Sequence, residues 1–309
     1  MPTVTVAREA NAAFAPTYTP IMLVTGATSG LGQTLTELFA RNLQGKAHII
    51  LVARNQAAAD EIMAALPKPS SISQDHQYTY EFIRCDVTSM RSIHELSKSL
   101  IQRLPKLNFL VHCAGGVDFL GRVETEEGLD SKLAFRYYSK FALSYDLLPL
   151  LRNAVKLKEK ATVVSVLAAG KAPDIDVNDL GLKKNYTVTR GLAQPISYVD
   201  VMTAEFARRE PDIAWVHMYP GSVYTRGMLT FGGPVIQFVL LLLRPLLWLL
   251  LAKKEDASER ILFAMLSADK GLRRCNEKGD DIGMKNFPAT EAGKILFEHS
   301  VKATLCEER

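Results

Sequence analysis

One stretch, Ile21-Met-Leu-Val-Thr-Gly-Ala-Thr-Ser-Gly-Leu-Gly32, constrains the fold more than any other part of the chain. Its apolar and β-branched start predicts a buried strand, its glycines a tight turn, and the pattern from Leu31 to Leu43 an amphipathic helix. Gly26 allows the turn, Gly30 lets the main chain approach a pyrophosphate, and Gly32 permits close packing of the helix. A phosphate placed there meets the helix's free N–H groups and the positive end of its dipole. A purely structural turn is the bland alternative. The strand before it and the helix after it favour a nucleotide site.

The same alternation continues along the chain. Strands are predicted at Ile21–Thr25, His48–Ala53, Tyr78–Asp86, Phe109–Cys113, Ala161–Leu167 and Ile213–Tyr219. Helices are predicted at Leu31–Leu43, Ala57–Leu66, Met90–Arg103, Leu129–Leu157, Gln194–Arg209 and Asp256–Leu266, with a loop at Pro67–Gln77. This pattern predicts an α/β fold, a Rossmann-type doubly wound parallel sheet with helices on both faces and a ligand crevice at the strands' carboxyl ends. We expect one dinucleotide-binding domain over residues 21–270, a loose N-terminal arm over 1–20, and a C-terminal extension over 271–309 packed at its edge. The net charge of +4 comes from 37 basic and 33 acidic residues without a long basic run, which argues against nucleic acid as a partner. Cys85, Cys113, Cys275 and Cys306 lack metal-ligand spacing, and the first 20 residues lack a signal-peptide core. No metal and a reducing, cytoplasmic setting are therefore expected.

The second strand ends Leu51-Val-Ala-Arg-Asn55. A carboxylate at this point would bond the ribose 2′-hydroxyl of NAD, whereas a guanidinium pairs with the 2′-phosphate of NADP. Ala53-Arg54 offers only the guanidinium, so NADP(H) is expected, with a solvated Arg54 as the alternative.

These segments resemble the short-chain dehydrogenase/reductase family. Thr25-Gly26-x-x-x-Gly30-x-Gly32 looks like its cofactor signature, and Cys85-Asp86-Val87-Thr88 resembles the acidic site that contacts adenine. Val111-His-Cys-Ala-Gly115 resembles its Asn-Ala-Gly segment with Cys113 in place of Asn, and Tyr219-Pro-Gly-Ser-Val-Tyr-Thr225 the segment that covers the nicotinamide. The resemblance implies a cofactor set of Thr25, Gly26, Ser29, Gly30, Leu31, Gly32, Arg54, Asp86, Val87, Ala114, Gly115, Pro220, Gly221, Val223 and Thr225.

The catalytic pattern departs from that family, whose members use Tyr-x-x-x-Lys, a Ser on the fifth strand and often an upstream Asn. Setting Thr203–Arg209 at the end of the active-site helix puts Leu192 at the Tyr position and Ile196 at the Lys position. Leu167 or Ala168 falls at the Ser position, with Ser165 nearby, and Arg136 at the Asn position. Arg136 could supply the missing cation in space, with Lys140 one turn on, and a solvated basic stripe is the alternative. Tyr186, four residues before Arg190, is the leading substitute phenol; Tyr198 has Met202 where a Lys would be needed. The catalytic candidates are thus Arg136, Tyr186 and Ser165, with Tyr137, His112 and Tyr224 as further proton carriers bordering the crevice. A divergent fungal-type subgroup is similar in lacking the Tyr/Lys pair.

The most apolar run, Val239–Ala252, carries Arg244 and Pro245 at its centre and ends at Lys253-Lys254, which argues against a bilayer span. Within residues 229–254 it is expected to be an apolar lid hinged at Gly232-Gly233. Peripheral membrane contact through 236–254, with Trp248 at headgroup level, and a homo-oligomer interface stay open as alternatives. A lid implies a small hydrophobic substrate. Function stands between three classes: an oxidoreductase acting on a bulky carbonyl or alcohol, a non-redox isomerase, cyclase or dehydratase, and a non-catalytic NADP(H)-binding protein.

Overall fold

A computed structural model describes residues 3–69, 78–116, 118–171, 173–223, 241, 243, 251–285, 287 and 292–305. The sheet comprises β1 (Ile21–Thr25), β2 (His48–Ala53), β3 (Thr79–Arg84), β4 (Phe109–His112), β5 (Thr162–Val166), β6 (Ala214–Met218) and β7 (Gly271–Cys275). Their order is β3-β2-β1-β4-β5-β6-β7, and every neighbouring pair is parallel. The order reverses at β1, between β2 and β4, and this switch point opens a crevice at the strands' carboxyl ends.

The helices are α1 (Val4–Ala12), α2 (Gly30–Asn42), α3 (Gln56–Ala65), α4 (Met90–Arg103), α5 (Ser131–Leu133), α6 (Ser139–Asp146), α7 (Leu148–Lys156), α8 (Val188–Arg209), α9 (Lys254–Ser267) and α10 (Ala292–Thr304). The period-2 geometry of the strands divides the core between two faces. Ile21, Leu23, Ile50 and Val52 face α4, α6, α8 and α10, whereas Met22, Val24, Ile49 and Leu51 face α2, α3 and α9. Among the described residues no helix is long and apolar enough to cross a membrane.

Four expectations need correction. Residues 3–20, expected within a loose arm over 1–20, are anchored: α1 lies on α9, with Asn11 Nδ2 donating to Glu259 O at 2.9 Å and Arg8 paired with Asp256 at 2.6 Å. This anchor is polar, so hydrophobic periodicity did not announce it. The sheet also does not end at residue 270, because residues 271–275 add β7, whose Arg273-Arg274 sequence disguises a strand. The single helix expected over Leu129–Leu157 is broken. A π-helical turn, Ala134–Tyr138, separates α5 from α6, and Pro149 in the first turn of α7 accompanies the break after Asp146. Finally, α8 starts at Val188, capped by Thr187 accepting from Arg190 N, and carries Pro195 inside it.

Asp200 of α8 joins the far side of the sheet together. Its carboxylate accepts from His217 Nδ1 on β6 at 2.6 Å and from Arg274 Nε and Nη2 on β7 at 2.8 and 2.7 Å. Arg274 Nη1 donates onward to the carbonyls of Gly283 and Lys285. All three side chains are fully buried. Burial pushes the Asp200 carboxyl up, but His217 and Arg274 outweigh it and hold it at about 2. Asp200→Asn would leave Arg274 buried without its counter-charge. Urea denaturation should show a loss of about 3–5 kcal/mol.

His94 of α4 holds the end of α10. Its Nδ1 meets Asp146 and its Nε2 meets the Thr304 carbonyl, both at 2.7 Å. A carboxylate and a carbonyl only accept, so both ring nitrogens must donate, which requires the imidazolium. The Asp146 bond, against burial, therefore raises the His94 pKa. With the folded value above the unfolded one, this contribution is complete below about pH 6.5 and is lost as pH rises through the folded value. Hydrogen exchange in α10 should accelerate across that window, and His94→Gln should abolish the dependence.

Candidate nucleotide site

The crevice encloses about 640 Å³. Its base is the turn between β1 and α2. Thr25 is level with His112 in the β1–β4 register, so the chain leaving β4 runs against Gly26. A Cβ on Gly26 would lie 2.8 Å from Ala114 Cα, and its φ of +70° suits glycine. A Cβ on Gly32 would lie 2.4 Å from the Gly26 carbonyl oxygen. Gly30 adopts φ +58° at the start of α2. Ser29 occupies the N-cap position without a side-chain capping bond, so it leaves the helix's first N–H groups to a ligand.

The walls follow from the ends of β2 and β3. Arg54 lines the crevice directly after β2 and has no ion-pair partner among the described residues. Asp86 Oδ1 accepts from the backbone N and hydroxyl of Thr88, at 2.9 and 2.8 Å, which fixes the turn after β3. Of the expected cofactor residues, Gly26, Ser29, Gly30, Leu31, Arg54, Asp86, Val87, Ala114 and Gly115 line the crevice. Gly32 packs behind it, and Thr25 Oγ1 accepts from Ala114 N at 3.4 Å. Pro220, Gly221 and Val223 follow β6 and do not line it. Thr225, Tyr224 and nearly all of the expected lid lie outside the described residues.

Three basic residues are spaced four apart here: Lys132 and Arg136 line the crevice, and Lys140 is buried without lining it. Arg136, nine-tenths buried in the π-helical turn, donates from Nη1 to Gly116 O at 2.7 Å and from Nη2 to Leu192 O at 3.3 Å. Its buried Nε has no partner among the described residues. Lys140, on α6, donates to Ala114 O at 2.9 Å. Burial draws its ammonium down to about 7; the Cys113 thiol opposes that shift and Arg136 adds to it. Lys132 pairs with Asp118 and donates to Gly121 O, both at 3.0 Å. Sequence reading missed Lys132 and Asp118, because a Lys after Asp130-Ser131 looks like an ordinary solvated face. Cys113 also lines the crevice, and burial pushes its thiol up to about 12, which makes it a poor nucleophile.

Several candidates are not brought to the crevice. Ser165 is buried within the sheet, level with His112 and His217. Tyr137 donates or accepts at 2.6 Å with Ser300 on α10, and burial raises its pKa well above a phenol's usual value. His112 meets Ser144 at 3.0 Å and is held neutral by burial, and Tyr198 donates to Leu180 O at 3.0 Å. All four serve packing. Tyr186, just before α8, faces Lys132, whose Nζ lies 5.8 Å from its ring centre.

Residues 20–173 match the family model described as short chain dehydrogenase. Oxidoreductase AN1596 of Emericella nidulans is 31% identical over 250 residues, covering 80% of this chain and 71% of that protein. The NmrA-like family domain-containing oxidoreductase notO of an Aspergillus species is 32% identical, and the match covers 67% of this chain but 61% of notO. Among solved structures, the NADPH-bound carbonyl reductase from chicken fatty liver superposes with a TM-score of 0.58 at 18% identity, covering 88% of this chain and 97% of that one.

The turn geometry makes a specific demand on Gly32. In Gly32→Ala, the new methyl group must displace the Gly26 carbonyl. Thermal melts should show about 1–3 kcal/mol of destabilisation, and nucleotide affinity should fall with it.

Proposed function

The chain belongs to the short-chain dehydrogenase family, and from that premise we propose that it is an NADP(H)-dependent oxidoreductase acting on a bulky hydrophobic carbonyl or alcohol. The observation that carries the cofactor reading is Arg54, a guanidinium without an ion-pair partner among the described residues on the crevice wall directly after β2. The residues present fit a dinucleotide. The glycine cradle leaves room that a Cβ would fill, the N-terminus of α2 is uncapped by Ser29, and Asp86 borders the far wall. Bound there, NADPH would supply the hydride. The chain's own residues orient the substrate oxygen and meet the charge that develops on it. Arg136 carries a permanent positive charge on the crevice wall and an uncommitted Nε–H, which suits it to a developing alkoxide.

The substrate reading rests on the sequence. The run Val239–Ala252 is too apolar to face water unless it covers, inserts or packs, and covering a crevice suits a lipophilic substrate. A second reading, a non-redox isomerase, cyclase or dehydratase on the same scaffold, draws on Leu192 and Ile196, which carry no proton-transfer group.

Fluorescence titration of the purified protein should show NADPH binding at least about 10-fold tighter than NADH, the contribution of one charge-assisted contact. Arg54→Ala should erase that preference. Equal affinities in the unmodified protein would overturn the cofactor assignment, and product formation without nicotinamide oxidation would favour the non-redox reading.

A further inference from the structure

A second cavity, of about 530 Å³, opens ahead of α5; it falls in the size range that holds small molecules and shares no lining residue with the crevice. Four segments build it: the start of α4, the loop leading into α5, the turn 181–183 and the end of α10. Each is held in place. Glu127 accepts from Ser89 Oγ at 3.1 Å, which ties the loop to α4. Asp179 accepts from the backbone N–H groups of Lys183, Lys184 and Asn185 and so shapes the turn. His94 of α4 holds the Thr304 carbonyl of α10.

The floor holds an acceptor with nothing to accept. Asp130 is 1% exposed and lines the cavity. Its Oδ1 caps α5 by accepting from Lys132 N and Leu133 N at 3.1 and 3.0 Å, while its Oδ2 is buried without a hydrogen-bond partner among the described residues. Burial pushes this carboxyl up, against those two bonds and the Lys132 and Arg122 charges, and a donor on Oδ2 would oppose that push. Tyr138 and His299 complete the floor, with Oη and Nε2 2.8 Å apart. Burial, Lys183 and Lys302 draw the imidazole below its usual range, so this pair adds dipoles and no charge. The rim is positive. Arg91, Lys183 and Lys302 line it without an ion-pair partner among the described residues, and both lysines act on His299. Glu127 is taken up by Ser89 and the α4 backbone, which leaves Glu126 as the rim carboxylate that opposes them.

We propose that this cavity is a second binding site, for a phosphorylated polyol, in which Arg91, Lys183 and Lys302 hold the phosphate and Asp130 Oδ2 accepts from a hydroxyl. A phosphomonoester carries nearly two negative charges at neutral pH and three strong acceptor oxygens, which suits three unpaired cations. An anion without a hydroxyl would leave Oδ2 orphaned, and a neutral polyol would leave the rim charge unmatched. An amine would meet Asp130 but be repelled by the rim. The site stands apart from the oxidoreductase reading, because no crevice residue takes part in it. The two cavities communicate through one residue: Asp130 caps α5, and Lys132 of α5 lines the crevice.

Isothermal titration calorimetry on the full chain tests this with glucose 6-phosphate as the probe. It should bind at least about 10-fold tighter than glucose or inorganic phosphate, each of which makes only part of the contacts. Asp130→Asn keeps the cap on α5 but turns the free acceptor into a donor, and should weaken binding about 10-fold. Lys183→Met combined with Lys302→Met removes two exposed side chains and leaves the core intact; it should weaken binding about 10-fold or more. Inorganic phosphate binding as tightly as glucose 6-phosphate overturns the polyol assignment. Unchanged affinity in both variants, or binding that survives the lysine changes and is displaced by NADPH, places the phosphate in the crevice and overturns the site. So does the absence of binding for glucose 6-phosphate, ribose 5-phosphate and glycerol 3-phosphate alike up to about 10 mM, an affinity too weak for a built site.

Discussion

The closeness of two backbone turns governs the rest of this molecule's site. β1 and β4 end level with each other, and the chain leaving β4 passes Gly26 at a distance that leaves no room for a Cβ. Everything that lines the crevice inherits that spacing. Gly32 packs on the Gly26 carbonyl and so sets where α2 begins, which in turn aims its first N–H groups into the crevice. On the other side, Lys140 and Arg136 bond the Ala114 and Gly116 carbonyls, alternate groups of the segment that Gly26 admits. The crevice is thus clamped from both sides of one contact between main chains. Backbone geometry, not side-chain chemistry, determines its width.

The molecule handles its buried charges in two different ways. At Asp200 it pairs them: one carboxylate faces an imidazole and a guanidinium, and the guanidinium's remaining donors meet carbonyls. Such an arrangement contributes little net stability against apolar packing, yet removing one member is costly. Its effect is to lock α8, β6 and β7 into one register. At the crevice the charges are incompletely matched. Arg136 and Lys140 rest largely on carbonyl dipoles, and Asp118 is half-exposed. A low-dielectric pocket that keeps positive charge partly unmatched stabilises negative charge arriving from a ligand or forming during reaction.

The sequence made the fold legible where period and turn chemistry agree. β1, β2 and α4 fall where their patterns place them, because buried parallel strands read as continuous apolar runs and α4 carries a strong apolar stripe. It was silent where polar groups fold inward. α1 is anchored through Asn11, and β7 carries the buried Arg274, so neither shows a hydrophobic signature. The glycine turn was readable for the same reason as the fold, since glycine spacing encodes backbone shape directly. The chemistry above it was not. Ser165 was chosen by strand position alone, and the register walls it in beside two histidines. Lys132 had no motif to mark it; only the fold brings it to Tyr186.

The break in the expected Leu129–Leu157 helix explains how that meeting comes about. Lys132, Arg136 and Lys140 recur every four residues, close to the period of one helical face, so a straight α-helix would drift them slowly around its axis. The π-helical turn at Ala134–Tyr138 widens the coil between the first and the last of them. Over that stretch a spacing of four falls short of one full turn instead of slightly exceeding it, which opposes the drift. The three cations consequently reach three successive stretches of the same strand-exit loop: Asp118 to Gly121, Gly116, and Ala114. A regular helix with the same residues would turn the outer two about 80° apart. The wider turn concentrates it along one wall, where the crevice, the Leu192 carbonyl and the Tyr186 phenol all lie within its reach.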